Sequence, residues 1–202
     1  MSERFRRLRE RFPMVALGVE VFSIVLGVLL ALGVNEWREA RAEDELAERA
    51  LAQIADEVDR SRQVVAERHP YHSAALDSLQ SYAEDLDPQL GVDDVSRARL
   101  GFPRGGRFAP LFSSAYEAAR ASGALAYVDY ETLGLLSSIY EMQKTLTEQD
   151  DRVVELLFSP VNLQPGKFYY TLSLVPGLMR DVVNSEETLL DLYDRFPEMV
   201  EG

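Results

Sequence analysis

The stretch Pro13–Val34, PMVALGVEVFSIVLGVLLALGV, runs without a break into Asn35-Glu36-Trp37-Arg38 and decides the fold prediction for the whole chain. Between Met14 and Val34 it holds one charge, Glu20, and one hydroxyl group, Ser23. Twenty-one residues of α-helix measure about 31 Å, which matches the hydrocarbon thickness of a bilayer. Residues 13–34 are therefore predicted to form a transmembrane helix.

The flanks of this stretch predict its orientation. Phe12 and Trp37 bracket it, as aromatic anchors at a membrane interface do. Five arginines precede it, whereas acidic residues outnumber basic ones directly after it. We therefore expect the basic tail, residues 1–12, to stay in the cytoplasm and the C-terminal domain to be exported. The tail is either a short amphipathic helix on the anionic leaflet or a disordered positive-inside signal.

Two other interpretations of the apolar stretch are weaker. A buried helix of a soluble protein lacks interfacial aromatics and such a charge asymmetry. A cleaved signal peptide fits the basic start, and Ala31-Leu32-Gly33 loosely resembles a cleavage site. The apolar run is longer than the usual 7 to 15 residues, however, so an uncleaved anchor is predicted.

One face of the anchor is a candidate for helix packing. It carries small or polar residues at helical spacing: Ala16, Glu20, Ser23, Gly27 and Ala31. Small residues let a second transmembrane helix approach closely, and Glu20 would bond across the contact. In the alternative, Glu20 snorkels or stays protonated and this face meets no partner.

Composition limits the ligands of the exported part. Residues 35–202 contain 31 of the 34 acidic residues and 16 of the 21 basic ones, a formal charge of −15. This charge disfavours nucleic acid or anionic lipid as a ligand. The chain has no Cys, which excludes disulfides and thiolate metal sites. Arginine far outnumbers lysine, a bias typical of GC-rich bacteria, so the bacterial inner membrane and the periplasm are the predicted locations.

The rest of the chain has helical periodicity and no convincing alternating strand. We predict an all-α fold in which the transmembrane helix (13–34) continues as a helical extension (35–69) and is followed by an exported helical bundle (70–202). Pro70 is expected to restart the chain, Pro110 to open a helix that Gly123 ends, and Asp129 to cap a long helix. Pro176-Gly177 is expected to break the chain, or to let residues 177–183 begin a new turn, before a last helix capped by Ser185.

Candidate chemical sites in the sequence are few. His69 and His72 flank Pro70, and we interpret them as two exposed turn histidines without a metal. The loop residues Phe102, Arg104, Arg107 and Phe108 are a candidate docking loop, which binds acidic groups of this chain or of a partner. No Ser-His-Asp set or Gly-x-Ser-x-Gly motif is recognisable, so no catalytic residue, cofactor or metal is predicted and the protein is expected not to be an enzyme.

Two motifs carry a resemblance to a known family. Residues 25–45, VLGVLLALGVNEWREARAEDE, resemble the anchor of a bacterial family of uncharacterised single-pass membrane proteins, in which an apolar run ends in an Asn/Asp-Glu-Trp-type sequence. Tyr116-Glu117, Ser122-Gly123-Ala124-Leu125 and Tyr140 match its second pattern, Tyr-Glu, Ser-Gly-x-Leu and Tyr. The resemblance covers about a quarter of the chain. It implies the same topology and helical fold, and no activity.

Two functions follow as hypotheses. The first is a non-catalytic accessory or scaffold subunit of a larger membrane complex, photosynthetic or respiratory, whose partners are other membrane subunits and the lipid bilayer. The second is a self-associating periplasmic adaptor or ligand-sensing module. A pocket lined by Phe168, Tyr169 and Tyr170, or a homo-oligomer of this chain, would favour the second hypothesis.

Overall fold

The computed structural model describes residues 3–84, 105–108, 110–159 and 167–200, and in these residues the fold is all-α without a β-strand. The helices are α1 (Glu3–Glu84), α2 (Ser114–Ser122), α3 (Tyr130–Phe158) and α4 (Phe168–Val200). A 3₁₀-helix, η1 (Ala124–Tyr127), lies between α2 and α3. The predicted fold class, a long N-terminal helix followed by a helical bundle, is confirmed.

The chain forms two compact units, Met1–Glu48 and Arg49–Gly202, and α1 contributes to both. In the first unit every large apolar side chain from Leu17 to Val34 is 44–66% exposed. An 18-residue window of this helix has a mean hydropathy of 2.4 and no buried residue. By length and composition, one helix in the described part of the chain can therefore cross a membrane. Residues 3–12 are also helical, as one of the two interpretations of the tail expected.

The second unit is a bundle of three long helices. Glu57 of α1 contacts Tyr140 of α3, and Arg68, further along α1, contacts Asp150, which is also further along α3. Arg62 of α1 contacts Asp194 of α4, whereas Arg68, further along α1, contacts Glu186, which comes earlier in α4. Helix α1 therefore runs parallel to α3 and antiparallel to α4. The helical extension was predicted over residues 35–69, and its residues 49–69 lie in this compact unit.

Each bundle helix buries one stripe of eight residues whose spacing alternates between three and four. In α1 these are Ile54, Val58, Ser61, Val65, Arg68, His72, Ala75 and Leu79; in α3 they are Thr132, Leu136, Ile139, Gln143, Leu146, Asp150, Val153 and Leu157; in α4 they are Leu172, Val175, Met179, Val182, Glu186, Leu189, Tyr193 and Phe196. This repeat is the seam pattern of coiled-coil packing. Polar residues interrupt it at matching levels of the three helices.

Two prolines expected to end helices lie inside them, so these two predictions are wrong. Pro70 lies within α1. It has no N–H group, so the carbonyl of Ala66 loses its helical hydrogen bond. Both residues are exposed, and water can therefore bond that carbonyl. Pro176 lies within α4 and is buried, and the core stripe continues past it. Packing of a continuous seam outweighs one missing hydrogen bond per proline. For the same reason Ser185 does not begin a helix.

The short elements around α2 follow the predictions in part. Helix α2 begins at Ser114 and not at Pro110, because a buried carboxylate from α1 caps the later position. Gly123 ends α2 in the left-handed conformation with φ 79°, and Asp129 caps α3 by accepting from two backbone N–H groups. A third helix predicted near residues 92–100 lies outside the described residues.

Candidate functional site

A buried ionic layer crosses the middle of the bundle. Glu186 of α4 is fully buried, and its Oε1 lies 2.7 Å from Arg68 Nε. The same oxygen lies 2.8 Å from His72 Nδ1, and Oε2 lies 3.3 Å from His69 Nδ1. Asp150 of α3 completes the layer with Oδ2 at 3.3 Å from Arg68 Nη1. One carboxylate thus binds both histidines of the chain and an arginine.

His72 makes hydrogen bonds with both ring nitrogens. Its Nδ1 faces the Glu186 carboxylate, and its Nε2 lies 2.7 Å from the carbonyl oxygen of Gly106. Both partners are acceptors, whereas a neutral imidazole has one N–H donor. The geometry is therefore satisfied by the imidazolium form. With Arg68 and His72 as cations and Asp150 and Glu186 as anions, the layer has no net charge.

A short segment packs over this layer, and we call it the strap (Gly105–Phe108). The Tyr71 hydroxyl donates to the Gly105 carbonyl at 2.6 Å, and Arg107 Nη2 lies 2.6 Å from Glu67. The Arg107 guanidinium lies 5.5 Å from the Tyr71 ring centre, and the Phe108 ring lies 5.3 Å from that of His72. The strap is therefore bound to α1 by three side chains of that helix, Glu67, Tyr71 and His72.

Burial changes the acidity of Asp150. It raises the pKa of the Asp150 carboxyl to about 6, although the nearby Arg68 and His72 lower that pKa. Glu186 and the adjacent Asp151 raise it further. Oδ1 of Asp150 is buried and has no hydrogen-bond partner among the described residues. The lack of a partner makes the ionised form of this buried carboxyl costly, which accords with the raised pKa.

A second polar layer lies seven residues away on each helix. Gln143 Nε2 donates to the Tyr193 hydroxyl at 2.9 Å, and Tyr193 also bonds Ser61. Burial raises the pKa of Tyr193 to about 12, so this hydroxyl stays protonated. Ser61, Gln143 and Tyr193 fix the register of the three helices without carrying charge.

Glu57 forms a further buried site beside the second layer. Its fully buried carboxylate accepts the N–H groups of Ala115 and Tyr116 at 2.7 and 3.3 Å, which caps α2 from a different helix. It also accepts the hydroxyl groups of Ser114 and Tyr140 at 3.0 and 2.8 Å. Burial and the neighbouring carboxylate raise the pKa of Tyr140, so it remains a donor.

A groove of about 520 Å³ lies above this site. Tyr116 and Tyr140 line it and stack at 4.0 Å between ring centres. Arg120 and Lys144 provide cations at the groove, opposed by acidic groups of α2 and α3. A groove with an aromatic wall and both signs of charge can hold a small zwitterionic or peptide-like ligand.

The predicted membrane residues occupy one helix. Glu20, Ser23, Gly27 and Ala31 are exposed along α1, and a Cβ at Gly27 would meet no atom within 4 Å. Ala16 and Phe12 lie in the same helix, and their side chains are outside the described residues. Trp37 is 62% exposed, with the Arg41 guanidinium 5.8 Å from its ring centre.

The candidate docking loop and the histidines have different outcomes. Arg107 and Phe108 contact α1 of this chain, which was one of the two alternatives, whereas Phe102 and Arg104 lie outside the described residues. The interpretation of two exposed histidines is wrong, because His72 is fully buried and both bind Glu186. Tyr170 is 68% exposed, and the side chains of Phe168 and Tyr169 are not described.

Sequence reasoning missed Arg68, Glu186 and Glu57. The sequence signal for Arg68 and Glu186 is the alternating spacing of three and four residues, because both occupy seam positions in it. Within the described residues no three acidic or imidazole groups are placed to hold a metal ion. Comparison of the chain with protein-family models, curated proteins and solved structures gives no match.

Proposed function

We propose that the protein is a membrane-anchored, non-catalytic scaffold: an accessory subunit that binds other membrane proteins through its apolar helix and its exported bundle. The observation that supports this most is the exposed apolar segment of α1. Its large apolar side chains from Leu17 to Val34 are 44–66% exposed, so they need lipid or protein around them. The bundle unit, in contrast, buries its own seam.

The proposed topology is a single pass through the bacterial inner membrane with a cytoplasmic N-terminus and a periplasmic bundle. The charge asymmetry of the flanks supports it. Alkaline phosphatase fused after Gly202 should be active, since that enzyme requires export. If this fusion is inactive and a cytoplasmic reporter at the same position is fluorescent, the bundle lies in the cytoplasm and the proposed topology is wrong.

The membrane partner would contact the face that contains Glu20, Ser23 and Gly27. These positions offer small side chains and one carboxylate to an approaching helix. A photosynthetic or respiratory complex is the proposed kind of assembly, and the resemblance to single-pass membrane proteins with an Asn/Asp-Glu-Trp-type anchor accords with this topology.

The decisive experiment is extraction of native membranes in mild detergent, followed by sizing and mass spectrometry of co-migrating proteins. A stoichiometric large complex supports the scaffold proposal, and migration alone or as a small homo-oligomer contradicts it. Gly27→Leu should release the partner. Gly18→Leu is the matched control, because Gly18 lies about 180° around the helix from Gly27 and is equally open.

The groove at Tyr116 and Tyr140 favours a second candidate function, a periplasmic adaptor or ligand-sensing module. Its test is binding of a peptide or amino-acid library to the extracted protein. Lys144→Glu should weaken such binding, because it reverses a charge at the groove, while complex formation through the membrane helix should not change.

A further inference from the structure

The strap depends on His72 for its connection to the bundle core. Nε2 of His72 binds the Gly106 carbonyl, while Nδ1 binds Glu186, so one imidazole ring joins the strap to α4. The Phe108 ring also packs against this imidazole. The contacts of the strap with Tyr71 and of its Arg107 with Glu67 are made with α1.

Loss of one proton affects the two hydrogen bonds of His72 unequally. A carboxylate binds the remaining N–H more strongly than a neutral carbonyl does. Nδ1 therefore keeps its proton for Glu186, and Nε2 becomes a lone pair that faces the Gly106 oxygen. Two acceptors in contact repel each other, so the strap side of the ring is the one that separates.

The charges that surround His72 come from every element packed against it. Arg68 on α1 opposes the imidazolium, and His69 shares Glu186 with it. Glu186 on α4 and Asp150 on α3 favour the imidazolium. Arg107 of the strap is itself paired with Glu67. With both carboxyls ionised, the two anions balance the Arg68 and His72 cations, and protonation of Asp150, whose pKa is raised by burial to about 6, removes one of these anions.

Separation of the strap has a structural consequence. Arg107 and Phe108 of the strap, together with Val64, Glu67 and Arg68 of α1, line a surface recess of about 310 Å³. Movement of the strap would widen this recess and bring water to Arg68, whose side chain is 3% exposed with the strap in place. The ionic layer would then be accessible from the surface.

We propose that His72 is a proton-operated latch: its doubly protonated ring ties the strap, Gly105–Phe108, to Glu186, and the loss of one proton at higher pH releases the strap and exposes the Arg68 side chain to water. The device is independent of which partner or ligand the protein binds.

The latch is tested on the full chain in detergent micelles by nitrogen NMR of ¹⁵N-histidine. Because the chain has two histidines, His69→Gln assigns both signals. At about pH 5.5 both ring nitrogens of His72 should be protonated, and at about pH 8.5 only Nδ1 should be. A ring with one protonated nitrogen at the lower pH, or with two at the higher, overturns the proposal.

Hydrogen exchange of peptides that contain the strap measures its release. After correction for the intrinsic pH dependence with an unfolded peptide, exchange should be about tenfold faster at the higher pH, as expected for the loss of one charge-assisted hydrogen bond. In His72→Gln this pH dependence should disappear, whereas the matched control His69→Gln should keep it. Unchanged exchange in the wild type, or a pH dependence that persists in His72→Gln, contradicts the latch. If His72→Gln does not fold, the wild-type NMR result decides.

Discussion

The two parts of helix α1 satisfy opposite requirements with the same secondary structure. Between Leu17 and Val34 its large apolar side chains are all exposed. Between Ile54 and Leu79 it buries a seam that includes the guanidinium group of Arg68 and the imidazole ring of His72. In an aqueous protein both arrangements would be unfavourable without compensation. The first needs an apolar medium around it, and the second needs the carboxylates that α3 and α4 supply.

This difference shows that the rest of the chain fixes the packing of one part of α1, the part in the bundle. The bundle fixes its three helices with polar layers seven residues apart, since each layer tolerates one register only. The part of the chain that the structure describes places no such partner on the apolar segment, whose large side chains are exposed, so its specificity has to come from its surroundings. Matched substitutions in the two parts of the molecule should therefore have different effects.

The largest effect is expected from removal of the buried arginine. Arg68→Met leaves the carboxylates of Asp150 and Glu186 buried without their cation, which should reduce the free energy of unfolding by about 3–5 kcal/mol. The measurement is denaturant unfolding of the full chain in micelles, followed by tyrosine near-UV circular dichroism.

Arg41→Met is the matched control for this change. Arg41 also forms an ion pair on α1, with Glu45 at 3.4 Å, but both side chains are more than half exposed. Its loss should change unfolding by at most about 0.5 kcal/mol. Equal effects of the two substitutions would show that the ionic layer is hydrated and would remove the contrast between the two parts of α1.

Asp150 gives the bundle a pH dependence of known sign. Its pKa of about 6 in the folded protein lies above the ordinary aspartate value of 3.8, so between these values the folded state binds more protons than the unfolded state. Stability should therefore fall as the pH rises from about 4 to 6, by about 3 kcal/mol for this group. Asp150→Asn should remove this component. A difference between wild type and variant that is constant with pH would contradict the assignment.

The sequence predicted the fold class because its signals are local: the long apolar run, the helical spacing, Gly123 after α2 and Asp129 before α3. It misjudged Pro70 and Pro176 because tertiary packing outweighs local proline preferences. It missed the ionic layer because Arg68, Asp150 and Glu186 are far apart in the chain and charged residues usually lie at the surface. The burial of His72 depends on that layer, and the local sequence around Pro70 gives no sign of it.

A smaller effect is expected at Glu57, where two tyrosines stack but only one donates its hydroxyl. Tyr140→Phe removes a hydrogen bond to a buried carboxylate and should cost about 2 kcal/mol. Tyr116→Phe keeps both the stack and the backbone N–H bond of residue 116 to Glu57, so it should be nearly neutral. A similar cost for both changes would mean that the stack, and not the hydroxyl bond, stabilises the site.

The smallest effect compares two glycines from the two units. Gly123 has φ 79°, where an alanine is strained, so Gly123→Ala should reduce bundle stability by about 1 kcal/mol. Gly27 lies in the exposed helix, and a Cβ there meets no atom of the chain within 4 Å. Gly27→Ala should leave bundle unfolding unchanged, because residues 49–202 form their own compact unit. The same unfolding measurement covers both variants, and a shift caused by Gly27→Ala would show that the apolar helix contributes to the stability of the bundle.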